Sequence, residues 1–201
     1  MKFISTKGYR ILRIFVLAAF RLVHPKVVVK GKENIPQVAS IFCGNHSAFS
    51  DPVWLVGYAN FPDLPRVMAK QELRKVPVMG WIFQKLRCIY VNRDGNDISA
   101  IKTALKTLRD GNHLVLFPEG TRVRRGKTSE PHNGAMLFAS RSGCPVVPVY
   151  ITANKRLFRP LHVIFGKPIY PDFAGSKPTP EELEQNTKFL MDTIYELGEG
   201  L

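Results

Sequence analysis

Residues 40–51 read Ser40-Ile41-Phe42-Cys43-Gly44-Asn45-His46-Ser47-Ala48-Phe49-Ser50-Asp51, and Pro52 follows. The apolar run at 40–43 is typical of a buried β-strand, and Pro52 suits the first turn of a helix. A strand followed by a polar loop and a helix is the repeating unit of α/β proteins. The stretch therefore predicts an α/β fold and places His46 and Asp51, five residues apart, at one strand-to-helix junction.

The same alternation of strands and helices continues along the chain. Further strands are predicted at 26–30, 66–70, 88–91, 114–117, 146–151 and 162–165, and helices at 9–23, 52–58, 76–83, 98–110, 134–141 and 180–197. In the helix that follows Asp97, the apolar residues expected to face the core are Ile98, Ile101, Ala104, Leu105 and Leu108. Short loops between alternating elements predict a mostly parallel central sheet flanked by helices.

A second polar loop, Phe117-Pro118-Glu119-Gly120-Thr121-Arg122, begins where the predicted strand at 114–117 ends. In parallel sheets, ligands bind beside the loops that leave the carboxyl ends of the strands. Because both polar loops follow strands, they are predicted to form facing sides of one site.

His46 is the candidate general base, because histidine exchanges protons near neutral pH. Asp51 is its candidate partner, since a carboxylate on the other ring nitrogen would orient the imidazole and stabilise its protonated form. The chain must then turn between the two residues, because positions five apart on one continuous helix point in different directions. The simpler alternative is that Asp51 only caps the helix and His46 is an ordinary loop residue.

The second loop offers groups suited to a phosphate. The planar guanidinium of Arg122 can bind two oxygens at once, and Gly120 lets the backbone approach a ligand or adopt a positive φ. Arg93, at the end of another predicted strand, could add a second positive charge on the same side. A turn with a solvent-exposed arginine explains Gly120 and Arg122 equally well.

The chain is strongly basic. Its 201 residues include 29 Lys and Arg against 16 Asp and Glu, a formal net charge of +13. Such a charge favours an anionic membrane surface, a phosphorylated substrate or nucleic acid as partner. Nucleic acid is disfavoured, because most aromatic residues lie inside apolar segments rather than among basic clusters. The three cysteines also lie in apolar segments, which indicates reduced thiols in the cytosol.

Residues 1–24 are predicted to form an N-terminal segment with an amphipathic helix at 9–23. The basic residues on one side of that helix are Lys7, Arg10, Arg13 and Arg21. Fifteen residues span about 22 Å, less than the roughly 30 Å of a bilayer core, so the helix is expected to lie in the membrane interface. The alternative is that it simply packs on the domain formed by residues 25–201.

These motifs together resemble those of the 1-acyl-sn-glycerol-3-phosphate acyltransferases, within the wider glycerolipid acyltransferases. Asn45-His46 with Asp51 resembles the first motif of that family, Asn-His-x-x-x-x-Asp, and residues 117–122 match its third motif residue for residue. Residues 69–93 resemble the second region, and Val146-Val147-Pro148-Val149 resembles the fourth. The four regions occur in order between about residues 27 and 170.

The resemblance implies a glycerol-3-phosphate acyltransferase-like fold and transfer of a fatty acyl group from acyl carrier protein or coenzyme A. The implied acceptor is the sn-2 hydroxyl of lysophosphatidic acid, and the product is phosphatidic acid, a step of phospholipid biosynthesis. His46 and Asp51 would be catalytic. The residues expected to bind substrate are Arg93, Glu119, Gly120, Thr121 and Arg122.

The resemblance also implies where the protein works and what it requires. No metal or other cofactor is expected, because a thioester already carries a good leaving group. The expected location is the cytoplasmic face of the cell membrane, with peripheral or monotopic attachment.

Two alternative functions stay open at this point. A sister acyltransferase with another acceptor, such as glycerol 3-phosphate or a different lysophospholipid, would carry the same motifs. A non-catalytic lipid-binding protein of the membrane surface would explain the charge and the N-terminal helix. It would leave the combination of His46, Asp51, Glu119 and Arg122 unexplained.

Overall fold

A seven-stranded sheet runs through the part of the chain that this computed structural model describes, residues 4–77, 79–92, 97–123, 129–175 and 177–201. Its strands are β1 (Val27–Lys30), β2 (Ile41–Gly44), β3 (Arg66–Lys70), β4 (Ile89–Val91), β5 (Leu114–Leu116), β6 (Val146–Ile151) and β7 (Leu161–Phe165). The α-helices are α1 (Thr6–Val23), α2 (Asp51–Ala59), α3 (Met79–Lys85), α4 (Ile98–Arg109), α5 (Gly134–Ser142) and α6 (Pro180–Glu196).

The order of the strands places the two polar loops side by side. Neighbouring strands follow the order β1-β7-β6-β2-β5-β3-β4. All neighbouring pairs are parallel except β6 and β7, which confirms the predicted mostly parallel sheet. Because β2 pairs with both β5 and β6, the carboxyl ends of these three strands meet at one edge.

Alternate side chains of β2 serve the two layers of the core. Ile41 and Cys43 pack in the layer that includes side chains of α4, α5 and α6, whereas Phe42 packs with Trp54 and Leu55 of α2. Successive side chains of a strand point to opposite faces, so the continuous apolar run reflects a strand covered on both sides. Burial also raises the pKa of the free Cys43 thiol, which argues against a nucleophilic role for it.

Helix α3 begins later than the sequence predicts. Residues 71–75 form a short 3-10 helix and α3 covers Met79–Lys85, whereas the predicted helix is at 76–83. A Cβ atom at Gly80 would lie 2.2 Å from the carbonyl oxygen of Arg74. The chain therefore folds back tightly on itself here, which hydropathy patterning does not record.

In α4, the expectation that Ile98 is buried is wrong, since its side chain is 61% exposed. Thr107 is buried instead. Ile98 is the first residue of α4, whereas Thr107 lies near its carboxyl end, where its hydroxyl donates to the carbonyl oxygen of Thr103 at 2.8 Å. Location along the helix and this internal hydrogen bond therefore outweigh residue polarity here.

Helix α1 packs on α2 and turns part of its basic side inward. Arg13 Nη1 donates a hydrogen bond to the carbonyl oxygen of Gly57 at 3.3 Å, and Arg21 Nε donates to the Tyr58 hydroxyl at 3.0 Å. Phe20 meets Trp54 edge to face, with ring centroids 5.2 Å apart. Helix α1 therefore packs on the rest of the chain through this side.

Helix α1 also carries exposed apolar side chains. The side chains of Ile14, Phe15 and Leu22 are 63%, 70% and 80% exposed. Within the described part of the chain, none of the helices combines the length and hydropathy that a membrane span requires. Contact of α1 with a membrane, and a domain boundary after residue 24, stay predictions.

Candidate active site

Asn45 fixes the start of the loop that follows β2. Its side-chain amide donates to the carbonyl oxygen of Ile151 at 2.8 Å, and its side-chain oxygen accepts from the Ile151 N–H at 2.7 Å. This buried pair of hydrogen bonds joins the loop to the end of β6. The loop is therefore anchored at the residue before His46.

His46 and Asp51 lie against each other. His46 Nδ1 is 3.0 Å from Asp51 Oδ2, and the backbone N–H groups of Ser47 and Ala48 each donate to the same oxygen at 2.7 Å. The required turn is present, since the Asp51 N–H donates to the carbonyl oxygen of Ala48 at 3.1 Å. Asp51 is also the first residue of α2, so its carboxylate serves the helix start and the histidine together.

The surroundings keep Asp51 ionised. Burial alone would raise the pKa of this carboxyl, but the hydrogen bond from His46 and the positive charge of Lys155 outweigh burial and lower it. An ionised Asp51 accepts a hydrogen bond from the Nδ1–H of His46, and in that neutral tautomer the lone pair of Nε2 is free. His46 thus has the form that a general base needs.

Lys155 is a member of this group that the sequence analysis does not identify. Its Nζ lies 2.5 Å from Asp51 Oδ1 and donates to Ser47 Oγ at 2.9 Å. The side chain is only 7% exposed. The available sequence signal was a lysine four residues after β6, whose carboxyl end adjoins that of β2.

Glu119 connects the two polar loops. Its Oε2 accepts a hydrogen bond from the backbone N–H of His46 at 3.1 Å, and its Oε1 accepts one from the Tyr195 hydroxyl of α6. The Val123 N–H also donates to the carbonyl oxygen of His46 at 2.8 Å. Burial raises the pKa of Glu119, although the hydrogen bonds from the Tyr195 hydroxyl and the His46 N–H oppose the increase.

The predicted substrate residues of the second loop have different surroundings. Gly120, Thr121 and Arg122 line a cavity together with His46. Gly120 has φ +67°, the left-handed conformation that glycine accepts without strain. Glu119 is buried and bonded to protein donors rather than lining that cavity. Arg93 lies outside the described residues.

Arg122 lies over an aromatic ring at the edge of the site. Its guanidinium carbon is 3.7 Å from the centroid of Phe49, a cation–π arrangement. Phe117 packs beside the imidazole of His46, with ring centroids 4.6 Å apart. Each loop thus supplies a phenylalanine that packs against a functional side chain of the other loop, Phe49 against Arg122 and Phe117 against His46.

The cavity has a volume of about 640 Å³, and apolar side chains form most of its lining. Helices α1 to α5 all contribute to it, for example through Leu17, Val56, Phe83, Ile101 and Phe138. The site therefore combines a histidine base, an arginine and an apolar space with enough volume for a hydrocarbon chain.

A family model described as Acyltransferase matches residues 26–152, from the residue before β1 to the residue after β6. The chain belongs to the acyltransferase family. The matched region contains His46, Asp51, Glu119 and Arg122. Family membership makes the protein an acyltransferase enzyme and confirms the resemblance found in the sequence.

Individual acyltransferases resemble the chain over most of its length. A Bacillus subtilis protein named 1-acyl-sn-glycerol-3-phosphate acyltransferase is 31% identical over 181 residues, covering 87% of this chain and 89% of its own. A protein of the same name from Borreliella burgdorferi is 28% identical over 196 residues, covering 93% of this chain and 77% of its own.

A solved structure from Thermotoga maritima shares the fold. It is described as a 1-acyl-sn-glycerophosphate (LPA) acyltransferase, and it superimposes with a TM-score of 0.72 at 26% identity. The match covers 96% of this chain and 80% of the other. The acyltransferase fold predicted from the sequence is therefore confirmed over nearly the whole molecule.

Proposed function

We propose that this acyltransferase transfers a fatty acyl group from a thioester to the sn-2 hydroxyl of 1-acyl-sn-glycerol 3-phosphate, giving phosphatidic acid for phospholipid biosynthesis. The observation that carries the proposal is the placement of His46 and Arg122 on the lining of one apolar cavity. A base, a phosphate-binding cation and an apolar space are the groups that this reaction requires. The names of the relatives from Bacillus subtilis and Thermotoga maritima support the choice of acceptor.

In the proposed reaction, His46 Nε2 removes the proton of the acceptor hydroxyl while Asp51 holds the ring through Nδ1. The hydroxyl oxygen attacks the thioester carbonyl carbon and forms a tetrahedral intermediate. The C–S bond then breaks, and the protonated His46 returns its proton to the leaving sulfur. A positioned general base contributes about 10² to 10⁴ in rate.

Arg122 would bind the acceptor phosphate with its planar fork, and Phe49 below it would hold the guanidinium in place. Arg93 would add a second positive charge. The two oxygens of Glu119 bond to His46 and Tyr195, which supports an indirect role in shaping the acceptor site. Gly120 and Thr121 would contact substrate from the cavity lining.

The acyl donor would be a thioester of acyl carrier protein or of coenzyme A, and the hydrocarbon chain of the acyl group would lie in the apolar cavity. The thioester supplies its own activated leaving group, so the proposed mechanism assigns no step to a metal or another cofactor.

The enzyme would work at the cytoplasmic face of the cell membrane as a peripheral or monotopic protein. The exposed apolar side of α1 and the formal net charge of +13 support this location. Apolar burial and attraction to anionic lipid would act together, since each basic residue near such a surface contributes about 1 kcal/mol.

Release of free thiol from an acyl thioester, with and without lysophosphatidic acid, tests the reaction. We expect thiol release that requires the acceptor and falls about 10² to 10⁴-fold in His46→Ala. Near-wild-type turnover in folded His46→Ala would exclude His46 as the base.

A panel of acceptors tests the substrate. Preference for glycerol 3-phosphate or for another lysophospholipid would overturn the proposed acceptor while leaving acyl transfer intact. Thiol release without any acceptor would instead indicate a thioesterase, which passes the acyl group to water, or an acyl-enzyme on Ser47 or Cys43. A lack of thiol release with every donor and acceptor would favour a lipid-binding role.

A further inference from the structure

Lys155 lies in an unusual place for a lysine. It follows β6, its side chain is 7% exposed, and its Nζ contacts Asp51 Oδ1 at 2.5 Å and Ser47 Oγ at 2.9 Å. A buried ammonium is costly unless it is paired and hydrogen-bonded. Both conditions are met here, since Lys155 pairs with Asp51 at the start of α2 and bonds to Ser47 beside His46.

The contacts of Asp51 divide between its two oxygens. Oδ2 receives His46 Nδ1 and the N–H groups of Ser47 and Ala48, whereas Oδ1 faces Lys155. Three contacts at Oδ2 and the ion pair at Oδ1 hold this carboxylate in one orientation. Lys155 therefore keeps Oδ2 directed at the imidazole.

We propose that Lys155 is a positioning residue of the acyl transfer, which holds Asp51 against His46 and balances its negative charge so that His46 remains unprotonated. This inference rests on the proposed function, in which His46 must accept a proton. A buried carboxylate with no other cation would stabilise the protonated imidazole before substrate binds. A histidine that is already protonated cannot act as the base.

Three further charged or titratable groups face this group of side chains. Glu119, after β5, carries a carboxyl whose pKa burial raises, and Tyr195 of α6 donates to it. Arg122 lines the same cavity as His46. Lys155 differs from Arg122 in its direct contact with Asp51, and its positive charge lowers the pKa of Asp51.

The test is the pH dependence of kcat/KM for Lys155→Met, Lys155→Gln and Lys155→Arg. Activity of the wild type should fall as the pH is lowered, because His46 becomes protonated. In Lys155→Met this decline should begin about one pH unit higher, since the remaining carboxylate charge favours imidazolium. Lys155→Gln, which can keep hydrogen bonds without the charge, should shift the decline in the same direction and serves as the neutral variant if Lys155→Met does not fold.

Two controls separate charge from packing. Lys155→Arg retains the charge and should return the decline to near its wild-type pH. Lys106→Met removes an exposed lysine in the last turn of α4, where it pairs with Asp110, and should not move the decline. A uniform loss of activity at every pH in the neutral Lys155 variants would overturn the proposal, because a merely structural role predicts that result.

An NMR titration of the His46 ring provides a readout that does not depend on activity. The signal is assigned by its loss in His46→Gln, and its titration midpoint should move to higher pH in the neutral Lys155 variants. An unchanged midpoint in a folded neutral variant would overturn the role of Lys155. Absence of acyl transfer in the wild type would instead overturn the proposed function and leave this titration interpretable.

Discussion

A buried carboxylate such as that of Glu119 is stable only where protein donors take the place of water. The two donors here come from distant parts of the chain, the His46 N–H in the first loop and the Tyr195 hydroxyl in α6. Burial raises the pKa of Glu119, so the site depends on both hydrogen bonds to hold a charge. Glu119 consequently determines where the backbone of His46 lies.

Glu119→Gln is expected to weaken both the fold and the reaction. An amide offers one oxygen and one NH₂ group, so it either leaves the His46 N–H without an acceptor or turns its NH₂ group to the Tyr195 hydroxyl, which must then accept. In both cases the charge of the acceptor is lost. The free energy of unfolding should fall by about 1–3 kcal/mol, and kcat should fall because His46 is displaced. Urea denaturation and the thiol-release assay measure the two effects.

Tyr195→Phe is the matched control for that substitution. It leaves Glu119 Oε1 without its donor but keeps the bond to the His46 N–H, so it should cost about 1–3 kcal/mol and lower kcat less than Glu119→Gln does. If Glu119→Gln were as stable and as active as the wild type, Glu119 would not connect the loops in solution.

The candidate catalytic residues could be found from the sequence because their spacing is local. His46 and Asp51 are five positions apart, and the motif at 117–122 is continuous. The residues that hold them were missed because their contacts are distant. Lys155 bonds to Ser47 across 108 positions and Tyr195 to Glu119 across 76. Only the fold brings these pairs together.

At the scale of elements, the α1–α2 contact depends on the absence of a side chain. A Cβ atom at Gly57 would lie 2.6 Å from Leu17 Cδ2, and the Gly57 carbonyl oxygen accepts from Arg13. The two helices therefore approach closely at this point. Leu17 and Arg13 also line the cavity, so this contact helps to shape the site.

The effect of Gly57→Ala on the free energy of unfolding should change sign when the residue at position 17 is changed. In the wild-type background the added methyl group meets Leu17, and we expect destabilisation of about 1–3 kcal/mol from crowding. In a Leu17→Ala background the crowding is absent, and the same substitution should stabilise by about 0.5–1 kcal/mol through helix propensity. Denaturant unfolding of the four proteins forms a double-mutant cycle.

A control and a contrary outcome follow from the same contact. Gly134→Ala in α5 has nothing closer than the Phe138 ring at 3.9 Å and should not destabilise. Additive effects of Gly57→Ala and Leu17→Ala would mean that α1 does not dock on α2 as described.

Most elements were predictable, because their hydropathy patterns are local and strong. The order of the strands was not, since β2 pairs with β5 and β6, which lie far from it along the chain. The predicted start of α3 and the predicted burial of Ile98 were wrong because hydropathy does not record either feature. The close approach at Gly80 decides the first, and the place of Ile98 as the first residue of α4 decides the second.

At the scale of the whole molecule, charge and apolar exposure are arranged differently on α1 than its sequence suggests. Arg10, Arg13 and Arg21 donate hydrogen bonds to the loop at Pro62 and to α2. The side of α1 that points away from the protein therefore presents Ile14 and Phe15, which do not line the cavity. Apolar insertion is consequently the larger expected contribution of α1 to membrane binding, and basic residues elsewhere supply the attraction to anionic lipid.

Replacing Ile14 and Phe15 together by serine should reduce binding to vesicles that contain phosphatidylglycerol by about tenfold or more. Full burial of each side chain contributes about 1.5–3 kcal/mol, and 1.4 kcal/mol corresponds to tenfold. Both side chains are exposed, so the fold and the turnover of detergent-dispersed substrate should be retained.

Phe189→Ser on α6, where the ring is 56% exposed, is the matched control and should bind vesicles normally. Raising the salt concentration should weaken binding of every variant, because it screens the net positive charge. Vesicle binding of the double variant equal to that of the wild type would show that α1 does not enter the membrane, and attachment would then depend on charge alone.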